Sequence, residues 1–275
     1  MPFFVDEQPA GSVATAHLAA LRGFAGKLNV QPTAVTLAVA PRERDAALAR
    51  INAVLRAQGL IKAWRDETYG VPCLASGVVL ARIERASSRF WGTLTFGAHA
   101  TGYVADENGY PTHLWIAQRA HNKATDPGLF DNLIGGGVAH GQTPAQALVR
   151  EGWEEAGLSP TQMQAARFGS VMRLQRDIPE GFQHEWLHAF ELPLPHGVVP
   201  ANQDGEVAGF DLLPVQDALA LAATASMTVD AALVTLDFAL RHRLFPPPVQ
   251  LALQARAASF WVEAASGGYT DLRSA

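Results

Sequence analysis

The stretch Gly135 to Leu158, GGGVAHGQTPAQALVREGWEEAGL, constrains this chain more than any other, because it joins a run of glycines directly to a segment that carries three acids. Thr143 suits a helix N-cap, Pro144 suits the first helical position, and Gln146 stands three residues after the cap, which completes a capping box. The helix is expected to begin at Pro144 and to stop at Gly157, whose tolerance of positive φ fits the left-handed position after a helix. Within roughly three and a half turns, Glu151 then lies one turn from both Glu154 and Glu155. Three carboxylates crowded at a helix C-terminus repel one another and oppose the macrodipole. Arg150 offsets part of that charge. A hard divalent cation bound by oxygen offsets more, and Mg²⁺ is the usual ion where phosphates are handled, with Mn²⁺ as a substitute.

This stretch resembles the signature of the Nudix hydrolases, in which a glycine and a glutamate six positions on lead to Arg-Glu-apolar-x-Glu-Glu-x-Gly-apolar. Gly136, Arg150, Glu151, Glu154, Glu155, Gly157 and Leu158 match it in spacing. Two positions depart from it. Gln142 stands in place of the early glutamate, which in the family steadies the loop by pairing with the arginine, so Gln142 is expected to accept a neutral hydrogen bond from Arg150. Gly152 stands in place of an apolar residue and costs about 1 kcal/mol of helix propensity, unless it makes room for close packing. The resemblance implies an α+β protein built on the Nudix α/β/α sandwich with a mixed sheet. It also implies an enzyme acting on acid anhydrides, with a carbonyl of Gly136 as a further metal ligand.

Composition narrows the classes that remain. The 275 residues, 48% of them hydrophobic and 17% charged, provide for one large or two small globular domains. A net charge of −5 gives no electrostatic footprint for nucleic acid, and no basic run marks a membrane surface. The single Cys73 allows no internal disulfide and is expected as a buried thiol. With no apolar run of membrane-spanning length and no basic-then-apolar start, a cytoplasmic protein is expected.

Residues 1–92 are expected to form a small α+β domain. Val13, Ala16, Ala20, Phe24 and Leu28 have helical spacing over Ser12 to Leu28, and Ala34 to Val39 suits a short strand. Pro41 opens a second helix with Ala47, Leu48, Ile51, Val54 and Leu55 on one stripe, ending at Gly59. Residues 93–245 carry the order expected of the main domain. Thr93 to Val104 and His113 to Gln118 form a hairpin around Asp106-Glu107-Asn108-Gly109, followed by Asp131 to Val138, the acidic helix, and strands at Phe168 to Arg176, Glu185 to Leu192 and Val207 to Leu213. Pro214 starts a helix to Ala222, and Asp230 is expected to cap a last one through Arg241. Residues 246–275 follow a triple proline; Val249 to Ala264 is apolar enough to dock on the chain or to form a homodimer, with the last residues frayed.

A narrower resemblance rests on HNKATDPGLFDNLIGGGVAHG (His121 to Gly141), Asn202-Gln203-Asp204-Gly205-Glu206-Val207, and Trp64-Arg65-Asp66-Glu67 with Tyr69. These strings are similar to the Nudix subfamily that has an extra N-terminal domain, found alone or fused to thiamine pyrophosphokinase. That resemblance implies hydrolysis of thiamine diphosphate, and preferentially of its oxidised analogues, to the monophosphate. A nucleoside diphosphate derivative such as ADP-ribose is the alternative substrate. An isopentenyl diphosphate isomerase is disfavoured because Cys73 lies far before the core, and a non-catalytic binding module because the acids are intact.

Diphosphate hydrolysis needs cations on the phosphate oxygens and a water aligned with phosphorus. Glu151 and Glu155 are the expected primary ligands, and Glu154 is the third ligand or the base, with Arg150 beside them. Glu206, at a strand start, is the candidate for a separate acidic group. Lys123 is one of three lysines against 18 arginines and precedes the glycine turn, so it suits a terminal phosphate as a point charge. Arg119, Thr125 and Gly137 complete the expected substrate contacts. His184 and His188 are expected to pack rather than ligate, and Phe130, Trp153, Trp186 and Phe210 are candidates to stack on the organic group.

Overall fold

The computed structural model describes residues 1–262. Strands β1 (Pro2–Val5) and β2 (Gln8–Ser12) form a hairpin, and the chain then turns through α1 (Leu18–Leu21) into β3 (Leu28–Val30) and β4 (Val35–Leu37), giving a sheet ordered β2-β1-β4-β3. The expected helix from Ser12 to Leu28 is therefore only one α turn between two 3-10 turns, at Thr15–His17 and Arg22–Phe24. Gly26 at φ 87° breaks the helical path, and Leu28 is taken by its pairing with Leu37. Sheet closure here overrides helical spacing.

After a 3-10 turn at Pro41–Glu43 comes helix α2 (Arg44–Ala57), then the hairpin β5 (Thr68–Pro72) and β6 (Val79–Glu84) and the short α3 (Ser88–Trp91). Ala47, Leu48, Ile51 and Leu55 are buried as expected, but Val54 is 42% exposed. The buried arc of α2 swings instead towards Asn52, which accepts from Trp91 Nε1 at 2.8 Å and donates to Ser87 Oγ at 3.0 Å. Phe3, Leu37, Leu48, Ile51 and Trp91 belong to one core shared by these elements.

The larger sheet takes β7 (Leu94–Ala105), β8 (Pro111–Arg119), β9 (Phe130–Asn132) and β10 (Ile134–Gly137) before the helices α4 (Pro144–Ala156) and α5 (Pro160–Met163). It is completed by β11 (Arg167–Ile178), β12 (Gly181–Pro193) and β13 (Val207–Pro214). The order is β11-β12-β7-β8-β13, with β10 on β7 and β9 on β8; β12 and β7 run parallel and the other pairs antiparallel. Ala147, Leu148 and Ala156 of α4 pack with Leu133, Ile134 and Leu192 on one side. On the other, α6 (Val215–Ala222) and α7 (Val229–Arg241) pack Ala218, Ala231 and Phe238 with Tyr103, Leu114 and Ile116. A mixed sheet between helices is the expected α+β sandwich.

The cap of α7 differs from expectation. Thr228 accepts from the Ala231 amide at 3.2 Å, so Asp230 lies inside the first turn. Helix α8 (Pro247–Ala257) docks on its own chain, with Gln250 Nε2 donating to the Leu240 carbonyl at 2.8 Å, and beyond the helix Trp261 Nε1 donates to Asp237 at 2.8 Å. The expected fraying of the last residues lies outside the described residues. No helix among the described residues is long and apolar enough to cross a membrane.

Candidate active site

Both ends of α4 form as the sequence dictates. Thr143 Oγ1 accepts from the Gln146 amide at 3.2 Å, Gln146 Oε1 accepts from the Thr143 amide at 3.0 Å, and Gly157 takes φ 64°. Glu151 and Glu155 are buried, and the backbone N–H of Gly135 donates to Glu155 Oε2 at 2.9 Å. A Cβ on Gly136 would overlap the Glu151 carboxylate, so only glycine lets that acid lie against β10. Gly152 also has a packing reason, since a Cβ there would meet Met163 Sδ of α5 at 2.7 Å.

Arg150 bridges two acids: one nitrogen is 2.8 Å from Glu151 Oε1 and the other donates to Glu154 Oε2 at 2.7 Å. This pairing turns Glu154, 38% exposed at its side chain, away from the cavity that Glu151 and Glu155 line. Gln142 does not receive the expected hydrogen bond. Its Oε1 is buried without a partner among the described residues, because a neutral amide competes poorly with two carboxylates for one guanidinium.

A cavity of about 200 Å³ opens beside these acids, between the larger sheet and the first 95 residues. Lys123, with only 7% of its side chain exposed, lies 3.5 Å from Glu155 Oε1 and forms an ion pair with Glu206, whose other oxygen is 2.8 Å from Arg65 Nη1. A line of alternating charge, Glu155-Lys123-Glu206-Arg65, therefore crosses the cavity wall. Arg119 lines the cavity but spends its donors on Asp131 at 2.9 Å and on the carbonyls of Thr125 and Asp126, which shapes the loop carrying Lys123. Thr125 and Gly137 line the same space.

Burial pushes the Glu155 carboxyl up to about 8, although Lys123 draws it down, and raises Glu151 despite Arg150. Glu151 and Glu155 both line this cavity, and carboxylate oxygens are the kind of donor a hard divalent cation takes. Burial would raise Glu206 as well, but hydrogen bonds from Lys123 and Arg65 outweigh it and bring it down to about 2.

Tyr69 and Arg85 come from the β5–β6 hairpin and the turn after it, and a Cβ on Gly137 would overlap the Tyr69 hydroxyl and stand 3.1 Å from the Arg85 guanidinium. Tyr69 and Arg65 lie in a string already singled out by resemblance, whereas Arg85 had no sequence signal. The cavity aromatics are Tyr69 and Phe182; none of Phe130, Trp153, Trp186 and Phe210 lines it, and Trp153 is 53% exposed. His184 lines it, while His188 is buried with Nδ1 3.2 Å from the Gly97 carbonyl. Cys73 is buried next to Gln8 and does not line the cavity.

A family model described as NUDIX domain matches residues 95–232, and one described as Domain of unknown function (DUF4743) matches residues 1–95. The chain belongs to the Nudix hydrolase family. Nudix hydrolase 20, chloroplastic, of Arabidopsis thaliana is 33% identical over 261 residues, covering 90% of this chain and 69% of the relative. Nudix hydrolase 24, chloroplastic, of the same plant is 33% identical over 253 residues, with the same coverage. The crystal structure of DR0079 from Deinococcus radiodurans is similar at a TM-score of 0.44 and 20% identity, covering 61% of this chain and 97% of that one.

Proposed function

We propose that this Nudix hydrolase cleaves the phosphoanhydride bond of a small organic diphosphate, thiamine diphosphate or its oxidised analogues, yielding the monophosphate and phosphate. The observation that carries this reading is the meeting of three strings distant in sequence. Arg65 from the Trp64 string, Lys123 from the His121 string and Glu206 from the Asn202 string join in one chain of ion pairs that ends on Glu155. Those are the strings whose resemblance points to the thiamine-type subfamily.

Glu151, Glu155 and the Gly136 carbonyl are the groups that would hold Mg²⁺, or Mn²⁺ in its place. When bound, the ion offsets phosphate charge and lowers the pKa of coordinated water. Lys123 presents a point charge to the phosphate from within a dry wall. With its carboxyl held near 2, Glu206 stays ionised and serves as the partner that orients Lys123 rather than as a proton acceptor at neutral pH. Arg150 fixes Glu151 and draws Glu154 away from the cavity. Phe182, which lines the cavity, is the aromatic side chain available to the organic group.

Phosphate release from thiamine diphosphate, its oxo analogue and ADP-ribose, measured with and without Mg²⁺, tests this. The thiamine compounds are expected to show the higher kcat/KM. A far higher value for ADP-ribose would move the substrate to the nucleotides, and no Mg²⁺-dependent release from any compound would leave only a binding protein. Glu155→Gln is expected to fold normally and to lose roughly two orders of magnitude in turnover; near-normal turnover would remove Glu155 from the ligand set.

A further inference from the structure

Charge is divided unevenly around the cavity. Residues up to 95 line it with four cations, Lys62, Arg65, Arg85 and Arg89, and with no carboxylate among the described residues; residues after 95 contribute two cations against eight carboxylates. Those two are already engaged, Arg119 with Asp131 and loop carbonyls, Lys123 with Glu155 and Glu206. The Nudix segment alone thus presents an anionic wall to an anionic substrate. By contrast, Lys62 and Arg89 line the cavity without a salt bridge within 4 Å among the described residues, although Arg89 draws down the Asp230 carboxyl, which burial raises.

Arg85 lies against the glycine turn. Its Nη1 donates to Glu67 Oε2 at 2.8 Å, its guanidinium lies 5.6 Å from the Tyr69 ring centroid, and both groups press on Gly137, next to the glycine that seats Glu151. Burial raises the Tyr69 phenol, so its O–H remains a donor at neutral pH. A forked guanidinium beside a fixed hydroxyl is the donor set that phosphate oxygens take.

We infer that the first 95 residues, which match a domain of unknown function, are the phosphate-binding half of the active site. Arg85 and Tyr69 contact the phosphate chain across from Glu151 and Glu155, and Lys62 and Arg89 draw the anion into the cavity. The inference rests on the diphosphate substrate proposed above.

The test uses the full chain and two readouts: calorimetric binding of inorganic pyrophosphate, which needs no turnover, and steady-state kinetics on thiamine diphosphate. Arg85→Met is expected to weaken pyrophosphate at least about tenfold and to lower kcat/KM by roughly a hundredfold, with Arg85→Lys recovering part of both. Glu67→Gln breaks the same ion pair yet keeps the guanidinium, so it is expected to bind pyrophosphate like the wild type. Should Arg85→Met fail to fold, the double variant Lys62→Met, Arg89→Met is expected to weaken pyrophosphate about tenfold. Wild-type affinity in folded Arg85→Met, or in the double variant, would overturn the inference, as would a loss in Glu67→Gln equal to that in Arg85→Met, because the arginine would then only be holding the hairpin. Failure of the wild type to hydrolyse any diphosphate would remove the proposed reaction while the pyrophosphate measurement still decided the role of these cations.

Discussion

At Gly137 the absence of a side chain joins two distant parts of the chain. The Tyr69 hydroxyl occupies the place a Cβ would take, and Arg85 lies just beyond it. Gly137→Ala is therefore expected to cost about 1–3 kcal/mol by overpacking and to raise KM, and Tyr69→Phe in the same chain is expected to return part of the stability. Equal melting temperatures for wild type and Gly137→Ala would show that the hydroxyl is free to move aside. At this scale the sequence was informative wherever local geometry decides. Thr143, Gln146 and Gly157 could be assigned by position, and the i, i+4 spacing put Glu151 and Glu155 together. Spacing alone could not tell that Glu154, equally close on the helix, turns to Arg150. Nor could it find Arg85, whose neighbours come from β10 and the preceding hairpin.

At the scale of elements, strands and helices with strong ends were legible, and those decided by partners were not. Helix α4 has both a capping box and a terminal glycine, and it forms from Pro144 to Ala156. The segment from Ser12 to Leu28 has helical spacing but two glycines, and pairing of Leu28 with Leu37 left it one α turn. A second consequence of partnering joins β12 to α7. Glu191 is buried, its oxygen 2.9 Å from His242 Nε2 and paired also with Arg241. The hydrogen bond from His242, and with it Arg241, outweighs burial and holds the carboxyl at about 2, below its ordinary 4.5. A folded-state pKa below the unfolded one stabilises fully above the unfolded value and is lost as pH falls through the folded one. Between pH 4.5 and 2 the wild type is therefore expected to lose up to about 3 kcal/mol more unfolding free energy than Glu191→Gln, measured by denaturant titration. Parallel acid curves for the two proteins would show that Glu191 gains nothing on folding.

At the scale of the whole molecule, the cavity belongs to neither part alone, and the contact between the parts is tight. Gly181, at the turn into β12, has φ 146°, and a Cβ there would stand 2.5 Å from the Arg89 carbonyl. Gly181→Ala is expected to lower the melting temperature by several degrees, through strain and collision of about 1–3 kcal/mol, and to raise KM by shifting Arg89 from the cavity. An unchanged KM in a destabilised variant would show that the cavity does not depend on this seam. The acidic helix was determined by sequence alone, because caps, glycines and helical periodicity act between residues a few positions apart, and the fold class followed from the resemblance that this stretch carries. Which acids face the cavity, and which cations from the first 95 residues face them, was decided only when β10 met the β5–β6 hairpin, because burial and charge pairing depend on neighbours that the chain brings together from far along its length.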